Sequence, residues 1–356
     1  MNERRLASGT EGQGTQRPEG ALRFSKSAHG FSGPIFIVGM PRSGTKLLRD
    51  LLNHSSRIAI PPEESHFIPF ASKRIGRYGD LRKSGHFAAF YRDISRTMFF
   101  KAMTKREPFI DRESWYAAVE EWSYAGIIRT LFEAYCRKKG KDIWGDKTPS
   151  YMLHLYLLKD LFPQARFVHI LRDVRDYCLS VQKAWGKNLF RAAQRWHDSI
   201  EKCRRDASGI GSEGYLEVHY ERLIDSPEAI LRSVCEFLQL AYEPSMLQKP
   251  IRSENIGSAK DHDGILDSNY GKWKKALDPG AVRKIESISA DLLRCLGYPV
   301  TYSGPVQRLG PNEMRFYKYA DGFHLLQLAM REQTLPQALE LVWRTKSHRA
   351  VSKGTM

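Results

Sequence analysis

The segment from Pro34 to Leu52, "PIFIVGMPRSGTKLLRDLL", constrains this chain more than any other. An apolar, β-branched run, a glycine-containing turn and leucines at helical spacing (Leu47, Leu48, Leu51, Leu52) follow one another without a gap. That order predicts a short buried strand, a tight loop and a helix packed by one face. Such a unit aims loop N–H groups and the positive end of a helix dipole at one point, and so cradles a phosphate or sulfate. Gly39 to Gly44 have the G-x-x-x-x-G spacing of a phosphate loop. Thr45, however, stands where a nucleoside triphosphatase has its Lys, and Lys46 stands where it has the Ser/Thr that holds Mg²⁺. A triphosphate needs that metal to bridge two phosphates. The loop therefore suits a single phosphate or sulfate held without metal, with Arg42 as its side-chain cation.

Two further strand-helix units are legible. "ARFVHILRD" is apolar and β-prone and leads into "VRDYCLSVQKAW", with Val174, Cys178 and Val181 at helical intervals. "YLEVHYERLI" leads into "SPEAILRSVCEFLQL", where Ser226 is placed as N-cap and Pro227 at the first helical position. Strands alternating with helices predict an α/β chain, a P-loop-type parallel β-sheet flanked by helices. A helical, aromatic and basic insertion, residues 67–137, separates the first two units. Farther on, "PGAVRKIESISADLLRCLGY" reads as a helix with Ile285, Ile288, Leu292 and Leu296 on one face, stopped by Gly297. Residues 1–30 carry no hydrophobic period and are expected to form a disordered tail. The main domain is expected over 31–300. A C-terminal helical extension over 301–356 contains "DGFHLLQLAMREQTLPQALELVWR", interrupted by Pro336.

Charge and cysteines narrow the function. The net charge is +16, and about half comes from residues 71–106, where ten Lys/Arg stand against Asp80 and Asp93. Such a segment attracts anions or serves as a solvated basic face. No RNA-recognition, zinc-finger or helix-turn-helix signature accompanies it, so nucleic acid is not the expected partner. The five cysteines are scattered, with no Cys-x-x-Cys pair, which argues for reduced thiols rather than a disulfide framework or zinc site. No window is apolar enough to span a membrane and the N-terminus has no apolar core of a signal peptide, so a cytoplasmic location is expected.

Four motifs in order, "VGMPRSGTKLLRDLL", "IPPEESHF", "GDKTPSY" and "ILRDVRDYCLSV", resemble the sulfotransferases that use 3′-phosphoadenosine 5′-phosphosulfate (PAPS). The likeness is to the bacterial branch and the related tyrosylprotein sulfotransferases, over roughly residues 34–298. The resemblance implies a metal-independent, in-line transfer of a sulfuryl group from PAPS to a hydroxyl, with an amine as second choice, leaving 3′-phosphoadenosine 5′-phosphate (PAP). It implies that Arg42, Ser43, Gly44 and Thr45 wrap the 5′-phosphosulfate, with Arg42 near the oxygen that gains charge. Lys46 departs from the family's Thr or Ser, and either adds a charge contact or points away.

By the same resemblance Arg172 and Ser180 take the 3′-phosphate, which separates this donor from ATP; the alternative for Arg172 is a surface pair with Asp173 or Asp176. Glu64 falls at the family's base, with Glu63 as runner-up and His66 third. Lys147 falls at the lysine that stabilises the transferred group, and Tyr220 at a position near the nucleotide. Lys272 and Trp273, in "NYGKWKKALDP", fall on the segment that closes over the donor, with Gly271 where the tyrosylprotein branch has a catalytic serine. The aromatic, basic segment from Phe67 to Arg106 is expected to form part of the acceptor pocket or its lid, since family members vary their acceptor there; the sequence does not give the acceptor's identity. Two rivals remain: a P-loop nucleotide or small-molecule kinase, and a basic nucleic-acid-binding protein.

Overall fold

The structure is a computed structural model and describes residues 31–106, 109–248 and 269–332. The tail expected over 1–30 and the helix-breaking Pro336 lie outside the described residues. Five parallel strands form one sheet: β1 (Ile35–Gly39), β2 (Ile58–Ala59), β3 (Ile143–Lys147), β4 (Arg166–Leu171) and β5 (Tyr215–His219). Their order is β2-β3-β1-β4-β5. β1 is central, with Ile37 beside Lys147 of β3 and Gly39 beside Ile170 of β4.

Successive side chains of a strand point to opposite faces, so β1 feeds two cores. Phe36 and Val38 enter one, where Phe36 stacks on Phe167 with centroids 5.5 Å apart. Ile35 and Ile37 enter the other, with Leu48 and Leu51 of helix α1 (Thr45–Leu52). The expected strand in "ARFVHILRD" is β4. The strand of "YLEVHYERLI" stops at His219, because the chain then coils into a short helix.

β2 and β3 lay outside the sequence reading. β2 is two residues long, and β3, "IWGDK", ends in a buried Asp146 and Lys147, residue types ordinarily found at the surface.

Between β2 and β3 come α2 (Ile68–Ser72), α3 (Ser84–Ser95), α4 (Met98–Arg106), α5 (Arg112–Ala118) and α6 (Tyr124–Lys138). Most of their aromatic side chains are buried, and Phe87 and Tyr116 also line a small open cleft with Ser84, Ala88 and Arg112. Phe87, Phe90, Phe99, Phe100 and Trp115 are buried against one another, with most ring pairs tilted or edge-on, and through Phe132 and Trp144 they join the core that holds Phe36.

The remaining helices are α7 (Leu155–Leu161), α8 (Val174–Trp185), α9 (Leu189–Ser208), α10 (Tyr220–Asp225), α11 (Pro227–Leu238), α12 (Trp273–Ala276), α13 (Pro279–Cys295) and α14 (Pro311–Glu332). Ser226 stands at the N-cap of α11 with Pro227 in the first turn, but its hydroxyl makes no cap bond. α13 follows the reading: Ile285, Ile288 and Leu292 are buried, and Gly297 beyond its end takes φ +75°. α9 lay outside the sequence reading: its buried face sets Trp196, Ile200 and Cys203 among Gln194, His197 and Asp206, polar residues that interrupt the apolar pattern. α14 begins ten residues before the amphipathic pattern that the sequence suggested.

α1 packs on one face of the sheet and α8 on the other. The chain thus leaves the C-terminal ends of neighbouring β1 and β4 in opposite directions and opens a crevice there, the usual ligand position in an open α/β sheet.

Candidate active site

Every sequence-predicted site residue described lies at or after the C-terminal end of a strand, or on a segment docked against those ends. Beyond β1 the loop turns sharply: Ser43 N–H donates to Met40 O at 3.2 Å, and Arg42 (φ +71°) and Gly44 (φ +94°) both take left-handed backbone. Gly44 is the N-cap of α1, and no side chain caps that helix. Its first N–H groups thus receive no capping bond from the N-cap residue and are open to a ligand at the end of β1. Thr45, in the first turn, is buried, and Lys46 beside it adds positive charge near Lys147.

Gly44 is fixed by its neighbour. A Cβ there would lie 2.3 Å from Tyr220 Cδ2, and the backbone is one that L side chains rarely adopt. Gly44→Ala is expected to cost about 2 kcal/mol or more and to weaken anion binding. Urea midpoints and a PAP titration of the folded variant would measure both.

Arg172, directly after β4, is buried. It donates to Arg42 O at 2.8 Å and to Asn269 O at 3.0 Å, and its guanidinium lies 4.5 Å from the Tyr220 ring centroid. The alternative pairing fails: Asp173 binds Arg175 instead, in a buried cluster with Glu286, and Asp176 accepts from the Gly271 and Trp273 N–H groups. Ser180, two turns into α8, stands 3.5 Å from Arg42 Nε. Lys272 donates to Asn269 Oδ1 at 2.6 Å, and Arg175 lies 4.0 Å from the Trp273 ring centroid. Arg42, Arg172, Ser180, Tyr220, Lys272 and Trp273 thus converge on one neighbourhood.

A second cluster lies at the ends of β2 and β3. Lys147, 1% exposed, donates to Glu64 Oε1 at 2.5 Å, and His66 Nε2 stands 2.9 Å from Glu64 Oε2. Burial alone would raise the Glu64 pKa, but the His66 hydrogen bond and the Lys147 charge outweigh it and hold the carboxyl at about 2. Burial lowers the Lys147 pKa despite its partner. Glu63 points elsewhere, to exposed Arg106 at the end of α4. His66 is held at φ +51°, with Nδ1 3.3 Å from Ser150 Oγ.

The sequence reading passed over the groups that place these residues. Ser65 donates to buried Asp146, Thr148 Oγ1 donates to the same carboxylate at 2.7 Å, and Ser65 N–H donates to Thr148 Oγ1 at 3.0 Å. This network pins the Glu64 loop to β3. Burial pushes Asp146 up to about 6. Asp176 and Asn269 dock the 269–273 segment, Asn269 also donating to Tyr220 OH at 2.8 Å. The signal was present: Asp146 adjoins Lys147, and Asn269 stands two residues before Gly271.

Two buried polar atoms in the cradle, Ser43 Oγ and Arg172 Nε, have no hydrogen-bond partner among the described residues. Buried orphans of this kind are costly and uncommon, and both are donors, which fits an anionic ligand.

Comparison with known proteins gives the architecture a family. The family profile described as "Sulfotransferase family" matches residues 34–244. Protein-tyrosine sulfotransferase A of Caenorhabditis elegans is 24% identical over 291 residues, covering 76% of this chain and 68% of that protein. The protein-tyrosine sulfotransferase of Drosophila melanogaster is 26% identical over 288 residues, covering 76% of this chain and 52% of that protein. The chain thus spans between about half and two thirds of these relatives' lengths. The solved sulfotransferase domain from the curacin biosynthetic pathway shares the fold, with a TM-score of 0.51, 22% identity, and coverage of 76% of this chain and all of that domain. With more than half of its residues matched by one profile, the chain belongs to the sulfotransferase family.

Proposed function

We propose that this sulfotransferase uses PAPS as donor and a hydroxyl as acceptor, without a metal. The observation that carries the reading is the convergence of two unpartnered buried donors, Ser43 Oγ and Arg172 Nε, on the strand-end crevice, beside the Glu64–Lys147 pair. When bound, PAPS supplies a sulfuryl group activated by a phosphate leaving group. The N-terminus of α1 with Arg42, Ser43, Gly44, Thr45 and Lys46 would hold its 5′ end. Arg172 and Ser180 would hold its 3′-phosphate, and Tyr220, Lys272 and Trp273 would flank the nucleotide.

Glu64 takes the acceptor proton. It is ionised at neutral pH, since its pKa stands at about 2. Its proton affinity is low because His66 and Lys147 hold it down. An anion that competes for the Lys147 ammonium removes one of those restraints, which raises the basicity of Glu64 when the donor side is filled. Lys147 and Arg42 offset charge that develops on the leaving oxygen. The relatives named as protein-tyrosine sulfotransferases favour a hydroxyl acceptor; an amine is the second candidate.

A thermal-shift titration separates this reading from a kinase. A ligand that binds only the folded state raises Tm with concentration, by about 2.7 kcal/mol of stability at a hundredfold excess over Kd. PAP is expected to raise Tm by several degrees, AMP by less, and Mg·ATP not at all. Stabilisation by Mg·ATP alone would overturn the proposal.

A further inference from the structure

α14 is apolar on two opposite faces. Its inner face is accounted for: Met314 and Tyr317 pack on the core, and Asp321 accepts from Asn188 N–H at 2.7 Å and pairs with Arg191. The outer face carries Phe316, Tyr319, Phe323 and Met330, exposed by 68, 73, 61 and 49%, with Leu326 partly exposed between the last two. An exposed apolar stripe on a helix of a folded protein marks a face that meets another surface. The outer spacing is 3-4-3-4, the seam that meets another helix by knobs into holes. At roughly 200 Å² per large side chain, the four most exposed residues leave about 500 Å² bare on each copy. Two copies together reach about 1,000 Å², the lower bound of a specific interface.

We propose that a second copy of this chain covers that face, through an antiparallel pairing of α14 with its two-fold axis beside Phe323. Five residues in this order are complementary to themselves when one helix is reversed. Phe323 then meets Phe323, Tyr319 meets Leu326 and Phe316 meets Met330. Each outer layer joins an aromatic ring to a flexible aliphatic side chain, and a sulfur beside a ring is itself favourable. A parallel pairing would instead stack the bulky rings together and leave Leu326 and Met330 as thin layers. The positions flanking the seam near the axis, Ala320, Gly322 and Gln327, are small or neutral, so a basic chain can approach its own copy there without opposed charges. Antiparallel helices also set opposite dipole ends together. A lipid surface is the competing occupant, but it would favour Lys and Arg along the whole of the flanks, whereas here Arg315 and Arg331 stand only at the two ends of the stripe and Ala320, Gly322 and Gln327 between them are uncharged.

The test is sedimentation of the full chain between 1 and 100 μM, with cysteine cross-linking. Wild type is expected to dimerise, and Phe323→Glu, which sets two carboxylates against each other, to raise the dimer Kd at least 100-fold with its circular dichroism unchanged and its melting temperature no longer dependent on concentration. In a Cys295→Ser background, which removes the exposed native thiol, Phe323→Cys should form a disulfide-linked dimer on mild oxidation and Phe316→Cys should not. The cross-links stand as evidence even where Phe323→Glu folds poorly. A wild-type monomer at 100 μM, a dimer indifferent to Phe323→Glu, cross-linking through Phe316→Cys, or a monomer that co-sediments with phosphatidylglycerol vesicles would each overturn the pairing.

Discussion

Glu64→Gln is expected to lower sulfuryl transfer from PAPS by 10²–10⁴-fold, the range that a positioned general base contributes, while the Tm gain on adding PAP persists. The amide can still accept from Lys147 and still meet His66, so the loop keeps its place. What is lost is the capacity to hold a proton. The change also leaves buried Lys147 without its counter-charge, so the variant should be less stable at neutral pH. The acid side tells the two effects apart. The folded-state pKa of Glu64 is depressed from an ordinary 4.5 to about 2, so its contribution to stability is present above about pH 4.5 and is lost as pH falls toward 2. Glu64→Gln should therefore flatten the stability curve across that window.

The same depression means that kcat/KM should show no acid limb above about pH 4. Glu63→Gln, which only releases an exposed pair with Arg106, should leave the rate within about twofold, since such pairs contribute little. Full activity in Glu64→Gln, or an acid limb between pH 6 and 7 of the kind an imidazole gives, would move the base to another residue.

How much of this was readable in advance depends on where each residue's information lies. The strand, loop and helix of 34–52 declare themselves locally, because a buried parallel strand is a continuous apolar run and the helix repeats its leucines. The site residues that follow strand ends were found by motif resemblance. Their supports were not. Asp146, Asp176 and Asn269 act through partners 81, 95 and 49 positions away; nearness to Lys147 and Gly271 points at two of them, but no local window names the Ser65, Gly271 and Tyr220 groups they bond. β3 was hidden for a related reason: a strand that ends in Asp-Lys looks solvated until its partners are known. The insertion declared its helices and aromatics locally, but that those rings join the core around Phe36 and Phe167 depends on contacts between distant segments.

Arg172→Ala is expected to abolish discrimination between PAP and AMP. A charge-assisted fork to a phosphate contributes on the order of 3 kcal/mol or more, so PAP affinity should fall at least 100-fold while AMP affinity, which never drew on a 3′-phosphate contact, changes severalfold at most. The geometry makes this a demanding test. Arg172 also donates to Arg42 O in the phosphate loop and to Asn269 O in the docked segment, so its removal could loosen both walls of the crevice.

Those two roles separate by their ligands. Loss of the fork strikes PAP alone, whereas a collapsed loop would weaken AMP just as much. Arg172→Lys sharpens the contrast: a lysine keeps the charge but cannot reach two carbonyls and an anion with one planar group, so it should recover only a small part of the PAP affinity. Equal losses for both nucleotides would make Arg172 a structural tie and shift donor selection to Ser180 and Lys272, which share its neighbourhood without bonding to the loop backbone.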